Sequence, residues 1–235
     1  MTQRIALVTG ADKSIGLETV RCLARLGMTV YLTSRNAETT RAAAESLAEE
    51  GDVRGRHLDV TDESTMRAVL AEIEREHGVL DVLINNAAMA PPPKRVTDAE
   101  PEEIRLTLET NLHGPVRLAQ LAAPLLRKSN AGRVVMVSSA ASGFGYMAAL
   151  DRPKPYAYCI SKVGMNAATV MLAHELRADG VKVNAVLPGH VYSAISFFKG
   201  TKKPEEGAAV LIKYATLDDD GPTGGLFDEN GPVGW

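Results

Sequence analysis

The sequence has little cysteine, two in 235 residues, and Cys22 and Cys159 stand far apart and in no metal-ligand spacing. That excludes a disulfide scaffold and a cysteine-based zinc site, and it fits reduced thiols. Neither charge sign is in excess, since the formal net charge is -3. With no basic field over the chain, nucleic acid and anionic membrane surfaces are excluded as partners. No uninterrupted apolar run approaches the roughly 20 residues of a membrane-spanning helix. The opening Met1-Thr2-Gln3-Arg4 runs straight into a short apolar strand without a signal-peptide pattern, so a cytoplasmic location is expected. Repeats, low-complexity runs and linkers are lacking too, which makes one domain over residues 1–235 the expectation. A chain of this length buries roughly 70% of the surface its unfolded state exposes, so its core needs no metal, and no metal site is expected.

What is present is an alternation of short β-branched runs with longer stretches of helical periodicity. Strands are expected at Ile5–Val8, Thr29–Thr33, Gly55–Leu58, Val82–Ile84, Arg133–Val137 and Lys182–Val186. Helices are expected at Ile15–Leu26, Glu38–Glu50, Glu63–Glu76, Glu102–Leu126 and Ala157–Leu176. Pro91-Pro92-Pro93 forces a loop, and the tail from Gly221 to Trp235 reads as a closing strand with a turn at Asn230-Gly231. Short right-handed connections then give an α/β fold: a Rossmann-like, doubly wound parallel sheet with helices on both faces. Ligands of such sheets lie beyond the carboxyl ends of the strands, where the strand order reverses.

Thr9-Gly10-Ala11-Asp12-Lys13-Ser14-Ile15-Gly16 follows the first strand and opens the first helix, the context a dinucleotide turn requires. Gly10 permits the tight turn and Gly16 the close helix–strand approach. The free N–H groups at Ser14, Ile15 and Gly16 suit a pyrophosphate. Ser14 stands where glycine is usual, and it serves provided its backbone avoids the left-handed region. Lys13 and Arg35, the latter in Thr33-Ser34-Arg35, face the adenosine ribose with no carboxylate at the end of the second strand, which points to NADP(H). The plainer reading of these two residues is a pair of solvated surface cations.

Tyr158 and Lys162 are four apart on a helix and emerge on one face. Ser138-Ser139 ends the preceding strand, Asn111 lies in the long helix before it, Asn85-Asn86-Ala87-Ala88 ends the fourth strand and Pro188-Gly189 follows the sixth. Together these resemble the short-chain dehydrogenase/reductase family over nearly the whole chain, with the closing tail similar to its carbonyl-reductase-like members. The resemblance implies a catalytic set of Asn111, Ser139, Tyr158 and Lys162. It implies a cofactor site that adds Asp59 and Val60 beside the adenine, Asn86 and Ala87 at the strand end, and Pro188, Gly189, Val191 and Ser193 near the nicotinamide. Ala88 departs from a glycine that commonly closes the strand-end motif.

In such a site Tyr158 supplies a proton to the oxygen of a carbonyl that accepts hydride, and a nearby ammonium on Lys162 lowers the phenol pKa. Ser139 steadies the substrate oxygen, and Asn111 positions a water that links Lys162 to solvent. A dinucleotide-binding scaffold without turnover would have lost these side chains. Elimination or epimerisation on the same fold would alter the lysine or the phosphate turn, where only Ser14 departs. Tyr156 is left as a pocket wall, and His113 and His190 as surface histidines. The stretches Ser142–Tyr156 and Ser193–Pro204, with Phe144, Tyr146, Met147, Phe197 and Phe198, read as an apolar substrate pocket or as packing against a partner subunit. The expected partners are a small carbonyl or alcohol substrate and a second copy of the chain, as a homodimer or homotetramer.

Overall fold

The first strand, β1 (Ile5–Val8), is buried along its whole length, as four consecutive apolar residues demand when helices cover both faces of a sheet. The structure, a computed structural model, describes residues 3–149 and 153–235. After β1 come α1 (Ser14–Arg25), β2 (Thr29–Ser34), α2 (Ala37–Ser46), β3 (Val53–His57), α3 (Glu63–His77) and β4 (Val82–Asn85). The second half adds α4 (Pro101–Leu108), α5 (Gly114–Leu126), β5 (Arg133–Val137), α6 (Phe144–Ala148), α7 (Tyr156–Leu176), β6 (Lys182–Val186), α8 (Pro204–Ala215), β7 (Leu226–Asp228) and β8 (Gly231–Val233).

The sheet order is β3-β2-β1-β4-β5-β6-β7-β8. All pairings are parallel except β7 with β8, where the turn at Asn230-Gly231 folds the tail back as an antiparallel hairpin. The sheet is thus parallel only up to β7. Its order reverses between β1 and β4, so the carboxyl ends of β1, β2, β4, β5 and β6 share the edge where a ligand sits. One apolar core, with Leu7, Leu83, Val134 and Leu118, fills the face under α3, α5 and α7. The other, with Val8, Ile84, Val135 and Leu211, lies under α1, α2 and α8. Fully burying each such side chain contributes roughly 1.5–3 kcal/mol.

Apart from single-residue shifts at several ends, two elements have other bounds than the pattern predicts. The second helix stops at Ser46 instead of Glu50, where the Leu47 and Ala48 N–H groups turn back to the Ala44 and Glu45 carbonyls, and the third strand runs Val53–His57 instead of 55–58, after the positive-φ Gly51. The long helix predicted over 102–126 is interrupted: residues Glu109–His113 form a π turn in which the Gly114 N–H donates to the Glu109 carbonyl. Pro115 is the physical reason. It has no N–H to give the Asn111 carbonyl, so the ordinary ladder cannot pass through this point.

Candidate active site

The glycine turn is held from below by the fourth strand. The Thr9 hydroxyl accepts the N–H groups of Asn86 and Ala87 at 3.0 and 3.1 Å. The Asn86 amide donates to the carbonyls of Thr9 and Gly10, both at 2.9 Å. Gly10 has φ +60, and a Cβ there would lie 2.7 Å from the Ala87 Cα; one at Gly16 would lie 2.6 Å from the Gly10 carbonyl. No side chain caps the start of α1, so the N–H groups of Ser14, Ile15 and Gly16 are unclaimed by a cap. A buried Ser14 hydroxyl without a protein partner adds a further polar atom. These features fit an anionic phosphate group at the start of α1. One expectation is corrected: Ser14 does enter the left-handed region, at φ 52, because the turn geometry set for glycine is imposed on whatever residue stands there.

The ribose end also differs from the reading of the sequence. Lys13 and Arg35 are exposed and unpaired among the described residues. The Ser34 hydroxyl, however, is turned inward to Thr40 at 2.7 Å. A carboxylate is nearby after all, since Asp12 Oδ2 accepts from the Thr39 hydroxyl at 2.9 Å. Asp59 lies just past β3, where Oδ1 accepts the Thr61 N–H at 2.8 Å, and Val60 is buried beside it. Ala88 is half-buried. Beyond β6, Pro188 and the φ +82 Gly189 lead to the buried Val191, and the Ser193 N–H donates to Ser196 Oγ at 3.1 Å.

The expected catalytic residues converge at the end of β5. Ser139 follows that strand in extended conformation and its hydroxyl accepts the Ala141 N–H at 3.2 Å. Tyr158 and Lys162 occupy the first turns of α7, and the Lys162 Nζ lies 5.6 Å from the Tyr158 ring centroid. That ammonium site is buried, and its Nζ donates to the Val137 carbonyl at 2.7 Å. Burial pulls Lys162 down to about 7. Burial also pushes the Tyr158 phenol up to about 12, against a hydrogen bond from Ser139 that works the other way. In a dry site burial favours the neutral form of both groups. The consequence suits proton donation, because the phenol stays protonated throughout the neutral range.

Asn111 sits in the π turn with no exposed surface. Its Oδ1 accepts the Met89 N–H at 2.8 Å, and its Nδ2 donates to the Met89 carbonyl at 2.8 Å and to Ser161 Oγ at 3.1 Å. Ser161 in turn donates to the Tyr158 carbonyl at 2.7 Å. The Asn111 side chain thus clamps the loop after β4 to the first turn of α7, and both its amide donors are engaged. Pattern reading missed Ser161 and Thr9. Ser161 is three residues after Tyr158 on the same helical face, which was the available signal.

Tyr146 and Met147 pack with Ala141, Tyr158 and Cys159 beside the site. Phe144 is exposed, and positions 150–152 of the expected pocket lie outside the described residues. Tyr156 begins α7, half-buried. His113 pairs with Glu109 at 3.1 Å on the surface, and His190 is exposed. Cys22 and Cys159 are free thiols. Among the described residues no group of metal ligands is found, and no helix is long and apolar enough to cross a membrane.

Residues 4–203 match the family model described as short chain dehydrogenase. The chain belongs to the short-chain dehydrogenase/reductase family. Its sequence is 32% identical to human "Carbonyl reductase [NADPH] 1" over 98% of each chain. It is 30% identical to "(-)-isopiperitenone reductase" of Mentha piperita over 96% of each. Among solved structures, a metagenomic short-chain oxidoreductase in complex with NADP is 29% identical with TM-score 0.78, covering 94% of this chain and 93% of that one. This family member is therefore an enzyme, an oxidoreductase acting on carbonyl or alcohol groups.

Proposed function

We propose that the enzyme is an NADP(H)-dependent reductase of apolar ketones or aldehydes, with the reverse oxidation open to it. The observation that carries this reading is the meeting of Ser139, Tyr158 and Lys162 at the strand edge that also presents the glycine turn. The NADPH in one relative's name and the reductase names of both relatives support it.

Bound NADPH would supply the hydride that reaches the carbonyl carbon. Tyr158, protonated at neutral pH, donates to the oxygen as negative charge grows there, and Ser139 offers that oxygen a second hydrogen bond. Lys162, held against the Val137 carbonyl, lies beside the phenol and titrates near neutrality, so it can pass a proton toward Tyr158 after donation. Asn111 and Ser161 fix the turn that carries Tyr158. Lys13, Ser14, Ile15, Gly16 and Arg35 would hold the phosphates, with Asp59, Val60, Asn86, Ala87, Pro188, Gly189, Val191 and Ser193 bordering the rest. Tyr146 and Met147 give the substrate side an apolar wall.

Incubating the protein with NADPH and a panel of carbonyl compounds, and following absorbance loss at the nicotinamide band, tests the proposal. Turnover of apolar ketones is expected; no turnover of any carbonyl with either NADPH or NADH would refute it. We also read the exposed Leu106, Val170 and Met171 on α4 and α7 as contacts with a second copy of the chain. A monomer in sedimentation at micromolar concentration would refute that.

A further inference from the structure

The glycine turn carries one charged group that the reading above leaves unused. Asp12 stands between Ala11 and Lys13, and its carboxylate is fixed by the Thr39 hydroxyl at 2.9 Å. Thr39 belongs to the first turn of α2, four residues beyond Arg35. The turn and the end of β2 are tied beside that bond, because the Ala11 N–H donates to the Thr33 carbonyl at 2.9 Å. The two segments that meet here therefore carry the exposed cations Lys13 and Arg35 as well as the carboxylate of Asp12. The donor end of α2 is already capped by the neutral Asn36, which accepts the N–H groups of Glu38 and Thr39 at 2.9 and 3.0 Å. Asp12 adds a full negative charge next to that cap.

Resting on the dinucleotide reading above, we infer that Asp12 is a specificity-determining residue of the ribose end, which opposes a 2′-phosphate and limits the preference for NADPH over NADH. Lys13 and Arg35 attract the phosphate, while a carboxylate in the same corner repels it within a Debye length of about 8–10 Å. A 2′-hydroxyl has no charge to repel and can donate a hydrogen bond to a carboxylate, so Asp12 favours NADH by the same placement. The Thr39 bond matters because it keeps the charge in the corner. The usual place to look for an acid that discriminates against the phosphate is the end of β2, where Ser34-Arg35 stands; here the acid arrives from the glycine turn instead.

The test uses Asp12→Asn, which removes the charge and keeps an amide oxygen able to accept the Thr39 hydroxyl, so the turn retains its bond. Affinities for NADPH and NADH are measured by titration calorimetry on the whole protein without substrate, at two salt concentrations. Asp12→Asn is expected to tighten NADPH roughly 3- to 10-fold, leave NADH unchanged or weaker, and steepen the salt dependence of their ratio. Asp12→Glu, which keeps the charge, should keep the wild-type ratio. The inference is overturned if the Asn variant leaves the ratio unchanged, or if Glu and Asn variants behave alike. It is overturned as well if Glu38→Gln, an exposed carboxylate on the same helical turn without a bond to the glycine turn, shifts the ratio equally. A wild type that binds neither dinucleotide would overturn the cofactor reading together with this one, whereas binding of both with an inert Asp12→Asn removes only the role of Asp12.

Discussion

The two sides of the proposed site, β5–α7 and the loop after β6, are built on opposite principles. On the β5–α7 side, Asn111, Ser161 and Lys162 are fully or almost fully buried, and their polar atoms are engaged by Met89, the Tyr158 carbonyl and the Val137 carbonyl. On the side after β6, the segment from His190 to Lys202 is pinched at its base, where the Thr201 and Lys202 N–H groups donate to the His190 carbonyl at 2.8 and 3.0 Å. Its head shows Tyr192, Phe197 and Phe198 to solvent, Phe198 with 60% of its surface exposed. Phe197 and Phe198 have φ 52 and 56, a conformation that costs a bulky L residue roughly 1–2 kcal/mol. A proton must be delivered to one atom, so its donors are locked. If this loop meets the substrate, as the proposed function has it, ligands of different shape must be accommodated there, and strain and exposed rings are tolerated because the base of the loop is held.

That contrast breaks most directly at Tyr158. Tyr158→Phe keeps the ring packed and removes the hydroxyl, so kcat is expected to fall by about 10²–10⁴-fold while NADPH affinity holds. Near-normal turnover would move the proton donor off the locked wall, with Tyr156 or a bound water next in line.

Lys162→Met sharpens the comparison through stability. The folded-state value near 7 lies below the ordinary lysine value of 10.5, so between these limits the unfolded chain holds a proton that the folded chain has released. Stability of the wild type should therefore rise with pH across that window, by up to about 1.4 kcal/mol per unit, with the penalty fully present below pH 7. The methionine variant should lack this rise. Urea unfolding of both proteins at pH 7 and pH 9 checks it, and parallel pH profiles would show that Lys162 is not held neutral.

The smallest effect is expected on the loop. Phe197→Gly relieves the left-handed strain but gives the unfolded chain more freedom, so stability should change by no more than about 1 kcal/mol. The KM for an apolar carbonyl should rise several-fold with kcat nearly constant, which steady-state kinetics measures. A kcat loss comparable to that of Tyr158→Phe would erase the distinction between the two walls.

Much of this was legible in local pattern. The β1 run, the Gly10-to-Gly16 turn and the Tyr158–Lys162 spacing depend on neighbours in sequence, and a four-residue helical step puts two side chains on one face wherever the helix packs. The π turn was less legible, although Gly114-Pro115 inside an apolar helix was its signal, since a missing N–H must be accommodated somewhere. The backbone of Ser14 was not legible, because the turn around it, set by Gly10 and by the Asn86 bonds from β4, fixes its φ from outside.

The sequence by itself determined the alternation of strands and helices, the strand ends at which chemistry gathers, and the residue types available there, because periodicity and turn chemistry act over a few residues. Tertiary structure alone decided the burial and the company of those residues. Desolvation of Tyr158 and Lys162 depends on everything packed around them, the Asn111–Ser161 bond joins positions 50 apart, and Asp12 meets Thr39 across 27. Electrostatics and burial are sums over neighbours in space, and a chain read along its length does not contain those neighbours until it folds.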